Sequence, residues 1–506
     1  MKKLLVAALM VVLASPAFAA IQNVKVSGDI TTSFIYDHRL DLGYTGSGAT
    51  GNDVGNPVGL SKQNVFITQT RLRVDADLSD NVSTTVGLIN ERAWNGENSS
   101  DNPAAGPATS YANDTNVQLY LASITLREFL YSPLTLTIGR QVFNYGNGLV
   151  MGDGGPINAS GGNLANIFQE INLRTAYDGV KAILDYKPLT IDMFYFKNYQ
   201  SLNSIQGLSA GVDLSKQTSD VYGYNANYQL SDPWSTVVEQ YMFVRINGNG
   251  LNDSINGGVT SPGVSGFTGV TNKGSTLFVP GLRASTNPIK GLNVQGEVAF
   301  ELGQNPIVNT LTGAQQAEHR GAMAAQLLAS YALPVLEKYK PTVNASYTYA
   351  SGDRNSAQNY SNDPYYSAKH YNAWDEFNTI QGAGTIYREL FPFSNEHIVS
   401  VGGSVSPLED VTAGVTWSGL WAADAYTAAN PLVLLQPDGN GFTASPSTYK
   451  SSNYSIGNET DVNLTYNYTE DVTFGLSLGW FVPGSVFSRN NNDNASQAIA
   501  SLGVKF

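Results

Sequence analysis

Four charged residues stand two apart, Arg71, Arg73, Asp75 and Asp77, and the residues after them, Leu72, Val74, Ala76 and Leu78, are apolar. Spacing of two puts all four charges on one face of an extended strand. Two bases next to two acids have two uses there: they line a water-filled path and bias the ions that pass, or they pair into a ladder across a wall. The residues leave both readings open. The same alternation aligns Lys25 with Asp29, Lys181 with Asp185, Glu297 with Glu301, and Glu459 with Asp461, and Arg283 reads the same way. If the strands lie in a membrane, these groups are expected to point inward. A Lys or Arg facing lipid at the bilayer midplane costs about 2–4 kcal/mol. The set holds both signs, so only weak ion selectivity is expected from the strands.

Other chemistry is scarce. There is no Cys, hence no disulfide, no thiol nucleophile and no C-x-x-C-H haem attachment. His38, His319 and His370 fall in expected loops, and His397 opens a strand. No G-x-S-x-G elbow precedes a helix, so no nucleophile and base are paired and no enzyme is expected. The glycines Gly146, Gly148, Gly152, Gly154, Gly155, Gly161 and Gly162 lack the Gly-Lys-Ser/Thr that a phosphate-cradling loop needs. Asp353, Asp363, Asp375 and Glu376 show no EF-hand spacing and read as solvated acids, with Ca²⁺ bridging to lipopolysaccharide as the alternative. No cofactor and no metal are expected. A net charge of −13 argues against a nucleic-acid partner.

The elements that must hold these residues are strands. Val472, Phe474, Leu476, Leu478, Trp480 and Val482 alternate with small or polar residues, and so do Val462, Leu464, Tyr466 and Tyr468. Leu292, Val294, Val298, Phe300 and Leu302 form another such row. One face is almost free of charge and the other carries Ser, Thr, Asn and Gly, as suits a barrel with lipid outside and water inside. In hydrocarbon every backbone polar group must be paired, and only helices and closed barrels achieve that. Only 14% of the chain is charged, which also fits a large surface in lipid. Short links at 79–81, 187–188, 231–233, 287–288, 407–410 and 469–471 alternate with long polar ones at 38–62, 95–116, 200–219, 246–273, 351–395 and 424–455. This is the pattern of tight periplasmic turns and long outer loops. The expected fold is all-β, a transmembrane antiparallel up-and-down barrel of about 18 strands, with both termini periplasmic. A slip of two strands is most exposed around 322–333, where an Ala/Leu run also fits a helix.

Met1-Lys2-Lys3, the apolar run 4–14 and Ala17-Phe18-Ala19 form a secretory signal peptide. The expected organisation is a signal peptide at 1–19 and an outer-membrane barrel at 20–506. The end Leu502-Gly503-Val504-Lys505-Phe506, with its aromatic last residue, resembles a recognition signal for barrel-insertion machinery, which is therefore an expected partner through Phe506.

Three stretches resemble the alginate-export family of outer-membrane porins. They are Ser132-Pro133-Leu134-Thr135-Leu136-Thr137-Ile138-Gly139-Arg140-Gln141 running on to Tyr145-Gly146-Asn147-Gly148, then Tyr349-Ala350-Ser351-Gly352-Asp353 with Phe391-Pro392-Phe393 after it, and Gly457-Asn458-Glu459-Thr460-Asp461 with Trp480-Phe481-Val482-Pro483-Gly484. The resemblance implies an 18-stranded channel that passes solute or polymer. Members that export alginate carry many Arg residues in the pore, and this chain is poor in Arg. Arg140 shares its parity with Leu134, Leu136 and Ile138. Either those residues face inward or a bulge at Gly139 switches the register. Arg140 is expected in the lumen, against a role in anchoring the loop 144–172. That loop reads as a constriction folded into the lumen, against a surface loop.

The leading expectation is a channel for polar solutes or a saccharide, in contact with outer-membrane lipid and lipopolysaccharide. The alternatives are a barrel sleeve for a partner such as a cytochrome complex and, more remotely, a surface adhesin. Substrate, direction of transport and oligomeric state do not follow from the residues.

Overall fold

The computed structural model describes residues 23–40, 42, 62–94, 117–152, 171, 173–200, 218–247, 275–308, 315–353, 370–377, 381–426, 433–434, 442–443, 453–487 and 492–506. The expected signal peptide at 1–19 lies outside them, as do Asp363, Gly154, Gly155, Gly161 and Gly162.

Strand-forming alternation becomes eighteen barrel strands. They are β1 (Asn23–His38), β2 (Lys62–Ser79), β3 (Val82–Ala93), β4 (Gln118–Leu126), β5 (Leu134–Val142), β6 (Ala176–Asp185), β7 (Leu189–Gln200), β8 (Thr218–Gln229) and β9 (Val237–Asn247). The second half holds β10 (Thr276–Ile289), β11 (Leu292–Val308), β12 (Gln315–Ala332), β13 (Thr342–Ala350), β14 (Glu396–Leu408), β15 (Val411–Ala422), β16 (Ser455–Asn467), β17 (Val472–Pro483) and β18 (Ala495–Lys505). Each pairs antiparallel with the next, and β18 pairs with β1, from Asp29 opposite Lys505 to His38 opposite Ser496. The ring therefore has no free edge, which is the condition for crossing hydrocarbon. The Ala/Leu run at 322–333 is strand β12, not helix.

The two faces separate as the alternation requires. Val24, Val26, Ile30, Phe66, Leu72, Ile138, Leu282, Phe300, Leu302, Val415, Leu476 and Trp480 are exposed and form the outer face. The opposite parity is polar or is covered by chain from the loops: Ser33, Gln69, Glu91, Glu239, Glu297, Glu301, Gln326, Thr348, Ser418 and Glu459 are all buried. At the short-link end the β10–β11 turn falls at Lys290-Gly291, with Gly291 at φ 85°, rather than at Asn287-Pro288, which lie within β10. Closure itself is tight. The Gly28 N–H donates to the Phe506 carbonyl at 2.8 Å, and the Phe506 N–H returns a bond of 3.0 Å to the Gly28 carbonyl.

The chain has no conventional core. Its buried apolar clusters form where long loops pack onto the lumen face, one around Phe143, Phe194, Phe243 and Trp374, another around Ile386, Tyr387, Phe391 and Phe481.

Candidate functional site

The loop after β5 turns at Gly146 (φ 60°) and Gly148 (φ 72°), and the Tyr145 N–H closes it onto the Met151 carbonyl at 3.0 Å. A run of Phe143, Tyr145, Leu149, Val150 and Met151 is buried. The Phe143 ring lies 4.7 Å from Phe196, and Tyr145 stacks on Phe194 at 5.1 Å, both on the lumen face of β7. At the tip, the Asn147 N–H donates to Glu297 at 3.3 Å, while the Arg283 guanidinium donates to Asn147 Oδ1 at 3.1 Å. Gly146 is required here: a Cβ would lie 2.9 Å from a Glu297 carboxylate oxygen. Near the loop's return, Gln69 Nε2 on β2 donates to the Ile171 carbonyl at 2.6 Å, and Arg174 binds Glu91 on β3 at 2.6 Å. Glu297 on β11 and Gln69 on β2 stand nine strands apart in a ring of eighteen. The described ends of this loop, at 143–152 and at 171 and 174, therefore reach opposite walls.

The loop between β13 and β14 also turns inward. The Ser351-Gly352-Asp353 triplet is its root. Ser351 Oγ donates to the Asn372 carbonyl at 2.6 Å, Asp353 accepts the Asn372 N–H at 3.1 Å, and the Ser351 carbonyl accepts from Trp374 and Asn395. Asp375 is then clamped between Arg245 of β9, at 2.8 Å, and Arg320 of β12, at 3.0 Å. Its N–H donates to Glu301 of β11 at 3.0 Å. Burial, with a smaller push from the Asp375 charge, raises the neighbouring Glu376 carboxyl to about 8. Further on, helix α1 (Thr385–Leu390) has no side-chain cap of its own. Glu459 on β16 supplies one across space, accepting the Ile386 N–H at 2.7 Å and the Tyr387 N–H at 2.8 Å. Asp461 takes the Thr385 hydroxyl at 3.3 Å.

Gln381 joins the two loops. Its amide Nε2 donates to the Gly148 carbonyl at 2.9 Å and the Asn147 carbonyl at 3.2 Å, and its Oε1 accepts from Gln326 of β12 at 3.1 Å. A continuous line of contacts thus runs from β10–β11 through Asn147, Gln381 and α1 to β16. It forms a septum across the barrel. On its β9–β11 side Arg283 pairs with Glu239 and donates to Gln295 at 2.7 Å, and Tyr241 donates to Glu297 at 2.8 Å.

The residues singled out in sequence divide accordingly. Arg283, Glu297, Glu301, Glu459 and Asp461 hold the septum. Arg71 and Asp29 pair at 2.9 Å, and Arg73 and Asp75 at 2.7 Å, while Arg127 stands 3.9 Å from Asp77. These form an ion-pair ladder along β1 and β2, extended by Arg127 just after β4, with Lys25 opposite Asp75 in register. Lys181 lies 5.2 Å from the Phe143 ring and donates to the Val142 carbonyl at 3.1 Å. Asp185 sits at the short-link end with Lys187 3.9 Å away.

Arg140 departs from the expectation. The β4–β5 register runs without a shift from Leu126 opposite Leu136 to Ala122 opposite Arg140. Unbroken alternation carries Arg140 outward with Ile138 and Val142, while Gln141 and Phe143 turn inward. Gly139 (φ 118°) does not switch the register; its missing Cβ lets the Ala122 carbonyl approach. Arg140 pairs with Asp178 at 2.6 Å. Asp375 departs too: it is buried and ion-paired rather than solvated.

Sequence reading placed Asn147 in the expected constriction loop without giving it a partner, and it missed Gln381, Arg245, Arg320 and Glu239. Parity on β9 aligns Glu239, Tyr241, Phe243 and Arg245 and would have found two of them. Nothing local marks Gln381.

A closed eighteen-strand barrel, apolar outside, polar inside and crossed by its own loops, is the architecture of an outer-membrane channel. The chain belongs to the Alginate export family, whose sequence profile matches residues 52–501. Among solved structures it is similar in fold to Acinetobacter baumannii OccAB1, with a TM-score of 0.51, 9% identity, 96% of this chain covered and 97% of that one. It is similar to Pseudomonas aeruginosa OccK3 (OpdO), with a TM-score of 0.50, 10% identity and 96% of each chain covered. The structure of Pseudomonas aeruginosa OpdK with vanillate gives a TM-score of 0.50 at 11% identity, covering 95% of this chain and 99% of that one. A comparison with curated proteins gives no match.

Proposed function

We propose that the barrel is a passive channel for small, uncharged polar solutes, saccharides included, with the Asn147–Gln381 septum as its constriction. The observation that carries this reading is the wall on the short-link side of the septum. A cavity of about 310 Å³ there is lined by Asn293, Gln295, Ser330, Asn344, Ser346, Ser400 and Thr416, with Leu328, Ala329, Ala345 and Gly402 between them. Its polar groups are uncharged amides and hydroxyls, which exchange hydrogen bonds with a polyhydroxylated solute, and its apolar part suits the flat faces of a sugar ring. Arg71, Arg73, Arg245, Arg283 and Arg320 on the lumen face are each ion-paired, so they offer little free positive field to draw a polyanion through. The long loops face outward from the cell and both termini face the periplasm, in keeping with the alternation of link lengths.

Liposome swelling with the refolded protein tests the solute class. Neutral mono- and disaccharides are expected to enter faster than sugar acids of similar size. Entry of the acids alone, or a barrel that passes neither solute nor ions in a planar bilayer, would overturn the proposal.

A further inference from the structure

The outer face of a membrane barrel should carry no charge within the hydrocarbon band, so charged side chains there mark the band's edge. On the described strands, the Lys, Arg, Asp and Glu residues of outward parity at the long-loop end are Lys62, Arg92, Arg140, Asp178, Lys197 and Asp220. All six lie on β2–β8; the outward positions of β9–β18 at that end hold none. Four of them are consecutive cross-strand neighbours: Arg140 faces Asp178, Asp178 faces Lys197, and Lys197 faces Asp220. Arg140 and Asp178 close to 2.6 Å and Lys197 and Asp220 to 2.5 Å. Directly below them the outer face turns apolar at Ile138, Val180 and Met193, with Tyr195 and Tyr222 packed ring to ring at 4.9 Å. On the other flank Lys62 extends over the Tyr36 ring, and Trp94 stacks on Phe66 at 4.7 Å. The arc therefore has an aromatic and aliphatic floor and a charged rim. Four cations and two acids make the rim net positive, on a chain whose total is −13.

We propose that this arc binds a phosphorylated glycolipid of the outer leaflet. Acyl chains would lie against Ile138, Val180 and Met193. The guanidinium of Arg140 and the ammonium of Lys197 would take the headgroup phosphates, a role that Arg suits through its planar fork of donors. Asp178 and Asp220 pair with those cations and offset part of their charge, so the acids compete with a headgroup phosphate rather than bind it. The arc is one-sided, so the glycolipid is retained on β2–β8 and not around the whole barrel. This inference rests on the proposed orientation of the long loops, not on what the channel carries.

The test uses the full barrel refolded into neutral phospholipid nanodiscs with added phosphorylated glycolipid, then repurified and analysed for retained glycolipid. The wild type should keep it. The double variant Arg140→Gln, Lys197→Gln should lose roughly tenfold or more, since each surface cation contributes about 1 kcal/mol toward an anionic headgroup. The reciprocal variant Asp178→Asn, Asp220→Asn should keep as much or more. A purely structural ion-pair row would instead leave retention unchanged in both variants, which overturns the proposal. Equal retention of the dephosphorylated glycolipid, or its displacement by inorganic phosphate, overturns it as well, as does self-association of the barrel through this face in light scattering. Surface labelling of the long loops on whole cells tests the orientation separately.

Discussion

Glu459 on β16 accepts the backbone N–H of Ile386 at 2.7 Å, although the two residues are 73 positions apart in the chain. The barrel wall thus caps a helix that belongs to a loop. A helix leaves its first N–H groups unpaired, and a carboxylate at that end is favoured by both hydrogen bonding and the helix dipole. The arrangement makes the position of α1, and with it the septum, depend on a wall residue.

Replacing that carboxylate should loosen the septum without unfolding the barrel. Glu459→Ala strands two buried N–H groups, at a cost of about 1–3 kcal/mol each. Amide exchange at residues 385–390 should speed up and bilayer conductance should rise, with the melting temperature little changed. Unaltered exchange there would show that α1 is held by its apolar packing alone. Gly384→Ala should act in the same direction, because its φ of 93° disfavours a side chain and a Cβ would lie 2.2 Å from an Asp461 oxygen.

The two loops meet through the Gln381 amide. Gln381→Ala removes its bonds to Asn147 and Gly148. At about 1 kcal/mol net, their loss should shift the ratio of open to closed states roughly fivefold. Single-channel dwell times measure this directly; identical dwell times would place the constriction elsewhere.

Ion preference should follow the ladder on β1 and β2. Arg71→Ala leaves Asp29 without its partner and adds a net negative charge to the lumen wall. The reversal potential under a salt gradient should move toward cations, most at low ionic strength, where screening is weak. The double variant Asp29→Asn, Arg71→Ala should return close to the wild type. If neither variant moves the potential, the ladder lies off the conduction path.

Loop anchoring should weaken as the pH rises from acid to neutral. Burial pushes the Glu376 carboxyl up to about 8 in the folded loop against an ordinary value of 4.5. An acid with a raised folded value binds its proton more tightly in the fold, so its contribution is fully present below the ordinary value and is lost progressively up to the folded one. Conductance should therefore increase between about pH 5 and about pH 8 and level off above that. Glu376→Gln should flatten this profile, and a profile that persists in the variant would assign it to another group.

Barrel closure should depend on Gly28. A Cβ there would sit 2.6 Å from the Phe506 ring and 2.7 Å from the Arg71 carbonyl. Gly28→Val should lower the yield of heat-resistant, fast-migrating barrel on unheated gels, and removal of Phe506 should do the same. Normal folding of Gly28→Val would mean that the seam adjusts at little cost.

Period-two alternation was enough to read the barrel and its strand count, and it assigns most charges to one face of their strands. The reason is that hydrocarbon imposes a strict period of two: Arg71 and Asp75 must share a face, and Leu72 and Val74 must take the other, wherever their neighbours lie. Even the failure at Arg140 came from setting the alternation aside. Followed without interruption, it sends Arg140 outward beside Ile138, where the end of the strand brings it to the edge of the apolar band and Asp178 is its partner. The contacts of the septum, by contrast, appear only in the folded ring. Asn147, Gln381 and Asp375 lie in polar, glycine-rich stretches with no period, and their partners Glu297, Gln326 and Arg245 are far away in the chain. Such contacts depend on which walls face each other across a closed ring, a relation fixed only once β18 has paired with β1.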